Sequence, residues 1–212
     1  MDFDGNGTEE LVIRGGSRNN TYFIDTGNDG GPAEDVINYG RSDDVILVAN
    51  IDGVPGQELA VRRGNNYIFD TGHDGGVGEY EFTFGWADAF VFIAKGANTD
   101  DLVIRAKNKF FADTGSNGGD AEVVYTYGSP DPLDLIYVGD LDNKSDSDLV
   151  VRRDNEFIVD TDDMGGPGEK KFTYGVRNAN ERLLVRGGSD GSDTENVIVI
   201  DYNDPASGTA FP

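Results

Sequence analysis

The sequence predicts an all-β fold: a β-propeller of four-stranded blades, with about 4.5 repeats of 43–48 residues. Three observations carry this. First, short markers recur in step. Asp-Thr begins at Asp25, Asp70, Asp113 and Asp160, at intervals of 45, 43 and 47, and the Gly-Gly pairs ending at Gly31, Gly76, Gly119 and Gly166 keep those intervals. So do the aromatic-Gly pairs ending at Gly40, Gly85, Gly128 and Gly175. Second, apolar residues alternate or form short runs broken by turn residues every five to ten positions, and no segment sustains a helical period. Third, 30 glycines and 7 prolines supply the turns that so many short strands need. Four strands in about 45 residues suit a propeller blade, because radial repetition buries both sheet faces and leaves only short edges.

The repeats span approximately 1–40, 41–85, 86–128, 129–175 and 176–212, read as one propeller domain over 1–212. The first strand of a copy is expected at 44–49, 90–94, 135–139 and 182–186, and the second at 11–14, 59–62, 102–105, 149–152 and 197–200. Third strands are expected at 22–25, 67–70, 110–113 and 157–160, and fourth strands at 36–39, 80–84, 123–127 and 171–174. The first copy lacks its first strand, and the last offers two strands and an unassigned tail. Five blades with incomplete terminal blades, or a fragment of a larger propeller, both accommodate these seventeen strands.

Second and third strands are joined by Gly64-Asn65, Lys107-Asn108 and Asp154-Asn155, two-residue turns in which asparagine tolerates positive φ. That register sets Arg62 opposite Tyr67, Arg105 opposite Phe110 and Arg152 opposite Phe157. Each pair gains roughly 0.5 to 1 kcal/mol from cation-π contact.

Forty acidic against 17 basic residues give a net charge of −23, spread along the chain. Phosphate binding needs clustered Lys and Arg, so nucleic acid is excluded as a partner. The absence of cysteine rules out disulfides and thiolate metal sites. The longest strongly apolar run, Ala89 to Ala94, is far short of the roughly 18 residues of a membrane helix, so no membrane insertion is expected. Met1 is followed directly by Asp2, so an export signal would have to lie outside this sequence.

The stretch Asp2-Phe-Asp-Gly-Asn-Gly-Thr-Glu-Glu10 places oxygen donors at alternate positions around a glycine turn and leads into an alternating apolar strand. An aspartate stands seven residues before the strand in Asp4/Leu11, Asp52/Leu59, Asp142/Leu149 and Asp190/Val197; the third copy has Lys95 before Leu102. With the aromatic-Gly markers, this unit resembles the FG-GAP or VCBS type of repeat found in integrin-like propellers and secreted bacterial proteins. Leu59-Ala-Val-Arg-Arg-Gly-Asn-Asn-Tyr67 is similar to repeats attached to exported actinobacterial cell-wall hydrolases and adhesins. The resemblance implies an extracellular or cell-surface propeller, calcium in the loops between first and second strands, and binding rather than catalysis.

Calcium takes six to eight oxygen ligands, which a short loop supplies from alternate side chains and a backbone carbonyl. Loop one offers Asp2, Asp4, Asn6, the Thr8 carbonyl and Glu10, with Gly7 turning the chain; loop four offers Asp140, Asp142, Asp146 and Asp148. Loop two keeps Asn50, Asp52 and Glu58 but has Val54 at the third ligand position, and loop five keeps Asp190, Ser192, Asp193 and Asn196. In loop three the Lys95 ammonium takes the cation's place beside Asp100 or Asp101, and no metal is expected.

No catalytic residue is assigned. Asp-Thr-Gly is the aspartic protease signature, but that enzyme needs two aspartates sharing a proton. A motif recurring at one place in every repeat reads instead as a strand-ending turn. His73, the only histidine, is expected in a solvated turn, and Trp86 with Tyr80 and Tyr125 is a candidate sugar-stacking platform whose bland alternative is packing. The expected function is a binding module for a glycan, cell-wall or protein ligand at the blade loops. The alternatives are a propeller glycoside hydrolase and a structural spacer attached to a catalytic domain outside this chain.

Overall fold

The computed structural model describes residues 1–96, 98–130, 134–139, 141, 147–161, 165–174, 181–186 and 196–201, the last two segments as backbone strands. Among the described residues there are seventeen strands in antiparallel sheets and no helix. They fall into two compact units, residues 1–105 with 111–123, and residues 106–110 with 124–212.

The first unit begins with a three-stranded sheet of β1 (Leu11–Gly15), β2 (Thr21–Asp25) and β3 (Asp35–Asn38). A four-stranded sheet follows in chain order: β4 (Val45–Ala49), β5 (Glu58–Arg63), β6 (Asn66–Asp70) and β7 (Tyr80–Thr83). The third sheet runs in the same order through β8 (Phe90–Ala94), β9 (Asp101–Ala106), β10 (Lys109–Asp113) and β11 (Val123–Thr126). The second unit holds the four-stranded sheet β12 (Leu135–Gly139), β13 (Asp148–Arg153), β14 (Glu156–Asp160) and β15 (Lys170–Thr173), and the pair β16 (Glu181–Arg186) and β17 (Asn196–Asp201). β16 lies beside β12 as β8 lies beside β4, which places it as a first strand.

Alternation along each strand divides the side chains between two neighbours. Leu59 and Val61 of β5 join Tyr22, Ile24, Ile37 and Tyr39 of the preceding copy in one buried cluster. Ala60, between them, faces the opposite way and joins Phe69, Phe82, Leu102 and Ile104 in the next.

The recurring glycines lie at these junctions. Fourth strands end one residue earlier than expected, and Tyr39, Phe84 and Tyr127 instead form parallel bridges to Gly76, Gly119 and Gly166 of the following copy. The Gly76 N–H donates to the Asn38 carbonyl at 2.8 Å, and the Tyr39 hydroxyl donates to the Ile68 carbonyl at 2.7 Å. Gly75 has φ +74°, and a Cβ there would stand 2.6 Å from the Asn38 carbonyl oxygen. That close approach and left-handed backbone account for the Gly-Gly marker.

The three expected turns are present, but their positive φ falls on the first residue: +68° at Gly64, +59° at Lys107 and +54° at Asp154. Asparagine has a different task. The Asn65 carbonyl accepts the Phe84 N–H at 3.0 Å, and the Asn65 amide donates to the Gly85 carbonyl at 3.3 Å. Asn20 makes the same two contacts with Tyr39 and Gly40.

Candidate metal site

Loop one is closed by its own backbone. The Glu10 N–H donates to the Met1 carbonyl at 2.7 Å, and the Phe3 N–H donates to Glu10 Oε2. Gly5 and Gly7 adopt φ of +72° and +85°. Gly5, rather than Gly7, is sterically required, because a Cβ there would lie 2.3 Å from the Pro55 carbonyl oxygen of loop two. The two loops also exchange bonds: Asp2 N–H to Gln57 Oε1 at 2.9 Å and Gln57 N–H to the Asp2 carbonyl at 2.7 Å.

This scaffold brings Asp2, Asp4 and Glu10 together, one carboxylate oxygen of each within 4.8 Å of the others. Glu10 is buried, Asp2 partly so, and Asp4 faces solvent. Asp2 Oδ1 and Glu10 Oε1 are buried oxygens without a hydrogen-bond donor. Asn6 is turned onto Asp4, its amide donating to Oδ2 at 2.8 Å, and Asn6 Oδ1 accepts the Thr8 N–H at 2.7 Å. Thr8 is exposed.

The other loops differ. In loop two Glu58 Oε2 accepts the Ile51 N–H at 2.7 Å, Asn50 Oδ1 accepts the Gly53 N–H at 2.8 Å and Asp52 Oδ1 accepts the Val54 N–H at 2.8 Å. These oxygens hold the chain itself. Desolvation, with Asp52 and Asp100 nearby, pushes the Glu58 carboxyl up to about 7. In loop three Asp100 Oδ2 accepts the Asn50 N–H at 2.8 Å; burial raises its pKa, while the Asn50 N–H and the Lys95 charge hold it down. Burial, with Asp100 beside it, raises Asp101 to about 6. In loop four the expected ligands Asp140, Asp142 and Asp146 lie outside the described residues, as do Asp190, Ser192 and Asp193 of loop five. Asp148 is buried, and its Oδ2 accepts the Leu141 N–H at 2.5 Å.

The Asp-Thr aspartates cap turns, as the repeat placement implied. Asp25, Asp70 and Asp113 each accept backbone N–H groups four and five residues on, for example Asn117 at 3.0 Å and Gly118 at 2.7 Å for Asp113. A glutamate nine residues later closes each turn from the other side, with Glu34 on Thr26, Glu79 on Gly72, Glu122 on Thr114 and Glu169 on Thr161. Two further acidic groups result, Asp25/Asp29/Glu34 and Asp70/Asp74/Glu79. The sequence reading missed them, although the constant Asp-to-Glu spacing was visible.

His73 lies in the expected turn but is only part-exposed. It adopts φ +55°, its ring stacks on Phe3 at 4.5 Å, and Nε2 stands 3.9 Å from Glu58 Oε1. The ring sits against loop one with a quarter of the side chain still exposed. The expected aromatic platform is divided among separate packing partners: Trp86 meets Phe111 edge-on at 5.6 Å, Tyr80 tilts onto Phe82 at 5.6 Å, and Tyr125 stacks on Phe110 at 5.2 Å.

No family model matches this sequence, and no curated protein matches it. Solved structures do share its fold. A chain in the structure of the Photorhabdus luminescens Tc holotoxin pore superposes with a TM-score of 0.63 at 16% identity, over 94% of this chain and 10% of that one. A chain in the crystal structure of BBS1N in complex with ARL6DN gives 0.50 at 14% identity, over 87% of this chain and 59% of that one. The protein thus spans a tenth of the first and under two thirds of the second. At these identities the likeness concerns fold alone.

Proposed function

We infer that the chain is an extracellular, calcium-braced, non-catalytic binding module: a β-propeller of the FG-GAP or VCBS type whose loops take a glycan, cell-wall or protein ligand. The observation that supports the metal is the pair of buried, donor-free oxygens, Asp2 Oδ1 and Glu10 Oε1, within a cluster completed by Asp4. In a chain of net charge −23, three converging carboxylates repel one another, and a hard divalent cation relieves both the repulsion and the missing donors. Asn6 and the Thr8 carbonyl are the neighbouring oxygen donors. A non-catalytic role is supported by the sameness of the copies. Asp25, Asp70, Asp113 and Asp160 each accept the backbone N–H five residues on, so the Asp-Thr aspartates do the same turn-capping work in every copy.

Calorimetric titration of calcium into chelator-treated protein tests the metal. One to three sites are expected, the strongest lost in Asp4→Ala and kept in Asp101→Asn. An isotherm unchanged in Asp4→Ala, or no binding at millimolar calcium, overturns it. A glycan array run beside hydrolysis assays on the same sugars tests the class of function, and turnover would favour the glycoside hydrolase instead.

A further inference from the structure

Two carboxylates of loop one each have one oxygen committed to the loop. Asp2 Oδ2 accepts the Gly7 N–H at 3.1 Å and Glu10 Oε2 accepts the Phe3 N–H, which leaves Asp2 Oδ1 and Glu10 Oε1 buried without a donor. Where those free oxygens stand depends on what holds the backbone behind them. Glu10 immediately precedes β1. The backbone of Asp2 is held from the second copy instead: Gln57 Oε1 accepts its N–H at 2.9 Å, and the Gln57 N–H donates to its carbonyl at 2.7 Å. Phe3, next along, is anchored by the same copy. Its ring is buried and stacks on His73 at 4.5 Å with 28° between the planes. A Cβ on Gly56 would stand 3.3 Å from both the Phe3 carbonyl oxygen and His73 Cε1, so the second copy fits closely against loop one.

The same clasp recurs one copy further on. Ala49 stands opposite Glu58 as Ala94 stands opposite Asp101, which makes Gln57 the counterpart of Asp100. Asn50 lies eight residues before Glu58 as Asp2 lies eight before Glu10. Asp100 Oδ2 accepts the Asn50 N–H at 2.8 Å, and the Asp100 N–H donates to the Asn50 carbonyl at 2.6 Å. The residue ahead of the second strand's acid therefore grips the head of the preceding loop at both junctions. What is gripped differs. Asn50 Oδ1 is occupied by the Gly53 N–H at 2.8 Å, whereas Asp2 carries a buried oxygen with no donor.

We propose that Gln57 and His73 of the second copy are positioning residues for the cation site of loop one. Gln57 fixes the Asp2 backbone through two bonds, and His73 packs against Phe3, which lies between Asp2 and Asp4 in the chain. The site is thereby built by two adjacent copies, although all its carboxylates come from one. This rests on the reading of Asp2, Asp4 and Glu10 as calcium ligands and names what sets their affinity. Partners that orient a ligand without touching the ion are worth roughly tenfold to a hundredfold in affinity, because a ligand already in place need not be ordered when the ion arrives. The coupling is reciprocal: a cation that favours the clasped Asp2 stabilises the junction between the first two copies by the same factor.

The test uses the whole chain. Calcium is titrated calorimetrically into chelator-treated wild type, Gln57→Leu, Gln57→Glu and His73→Asn, each is melted in chelator, and amide exchange at position 57 is followed with and without calcium. Asparagine at 73 keeps a residue that tolerates positive φ while removing the ring. Gln57→Leu should weaken the strongest site by at least about tenfold. Gln57→Glu, which keeps the acceptor, should restore binding to within about threefold of wild type or tighten it. His73→Asn should weaken the same site by at least about threefold. Calcium should slow exchange of the position 57 amide in wild type and not in Gln57→Leu. A role confined to stability would lower melting in chelator and leave calcium affinity unchanged. That outcome, or a Gln57→Glu that binds as poorly as Gln57→Leu, overturns the proposal and leaves the calcium reading standing. Wild-type protein that binds no calcium at millimolar concentration overturns both. Should Gln57→Leu fail to fold, His73→Asn decides the matter, and an unchanged affinity there overturns the proposal.

Discussion

Arg63 holds Asp44 through two parallel hydrogen bonds, Nε to Oδ1 at 2.7 Å and Nη2 to Oδ2 at 2.8 Å. The carboxylate is buried and also accepts the Arg41 N–H at 2.7 Å. Arg153 and Asp134 repeat the arrangement at 2.8 Å. In the third copy the corresponding residues are Ala89 and Ala106, so both partners are replaced together. A buried carboxylate left without its guanidinium carries an uncompensated desolvation cost, whereas removing both members is far milder.

Arg63→Ala is therefore expected to destabilise the protein by roughly 2 kcal/mol, less than a fully buried pair because the guanidinium is part-exposed. The double variant Asp44→Ala/Arg63→Ala should recover much of that loss in urea denaturation. Asp44 loses stability to desolvation but regains more from Arg63, and its pKa lies below the ordinary value. Its contribution is present above the unfolded pKa near 4 and fades as pH falls through the depressed folded one.

Glu58 behaves in the opposite sense. Its folded pKa of about 7 lies above the ordinary 4.5, so the folded state holds a proton that the unfolded state has released. Its contribution to stability is full below pH 4.5 and is lost as pH rises to about 7, at up to about 1.4 kcal/mol per pH unit. Melting in chelator should show this fall between pH 5 and 7.5, made shallower by Glu58→Gln; an identical profile in that variant refutes the assignment.

Gly75 and Gly76 are adjacent but unequal. Both have positive φ, but an added Cβ meets the Asn38 backbone only at Gly75 and open space at Gly76. Gly76→Ala should cost about 1 kcal/mol, the left-handed penalty alone, and Gly75→Ala several. At roughly 2–4 °C per kcal/mol for a chain of this size, calorimetry separates the two.

Arg62 donates to the carbonyls of Gly64, Trp86, Ala87 and Ala89 while its guanidinium sits 5.7 Å from the Tyr67 ring. A lysine keeps the charge but not the planar fork. Arg62→Lys should therefore lose nearly as much stability as Arg62→Met, about 2–3 kcal/mol; near-wild-type melting of the lysine variant would show that charge alone suffices.

Strand positions were legible because period-two burial writes itself directly into sequence, and all seventeen appear within about a residue of expectation. The Arg62–Tyr67 and Arg152–Phe157 pairings followed from turn length alone. Asp2, Asp4 and Glu10 were legible because alternate oxygens in a ten-residue loop converge for local reasons. Contacts between copies were not. The sequence marks Gly75 as constrained, but only the neighbouring Asn38 carbonyl says by what. His73 looked solvated because Phe3, which covers it, lies seventy positions away. The coupled loss of Asp44 and Arg63 in the third copy was readable in principle, yet it means nothing until the two are known to touch.

Because Leu59 and Val61 point to one neighbour while Ala60 points to the other, the second copy shares its core with the copies on both sides. The unit of inheritance, about 45 residues of sequence, is therefore offset from the unit of cohesion, which is a seam shared by two copies. A substitution in one copy is felt across the seam by the next, so two halves of a seam must drift in concert. Adding or deleting one whole copy changes the number of seams by one. Such a chain can lengthen or shorten in whole repeats without inventing a new interior.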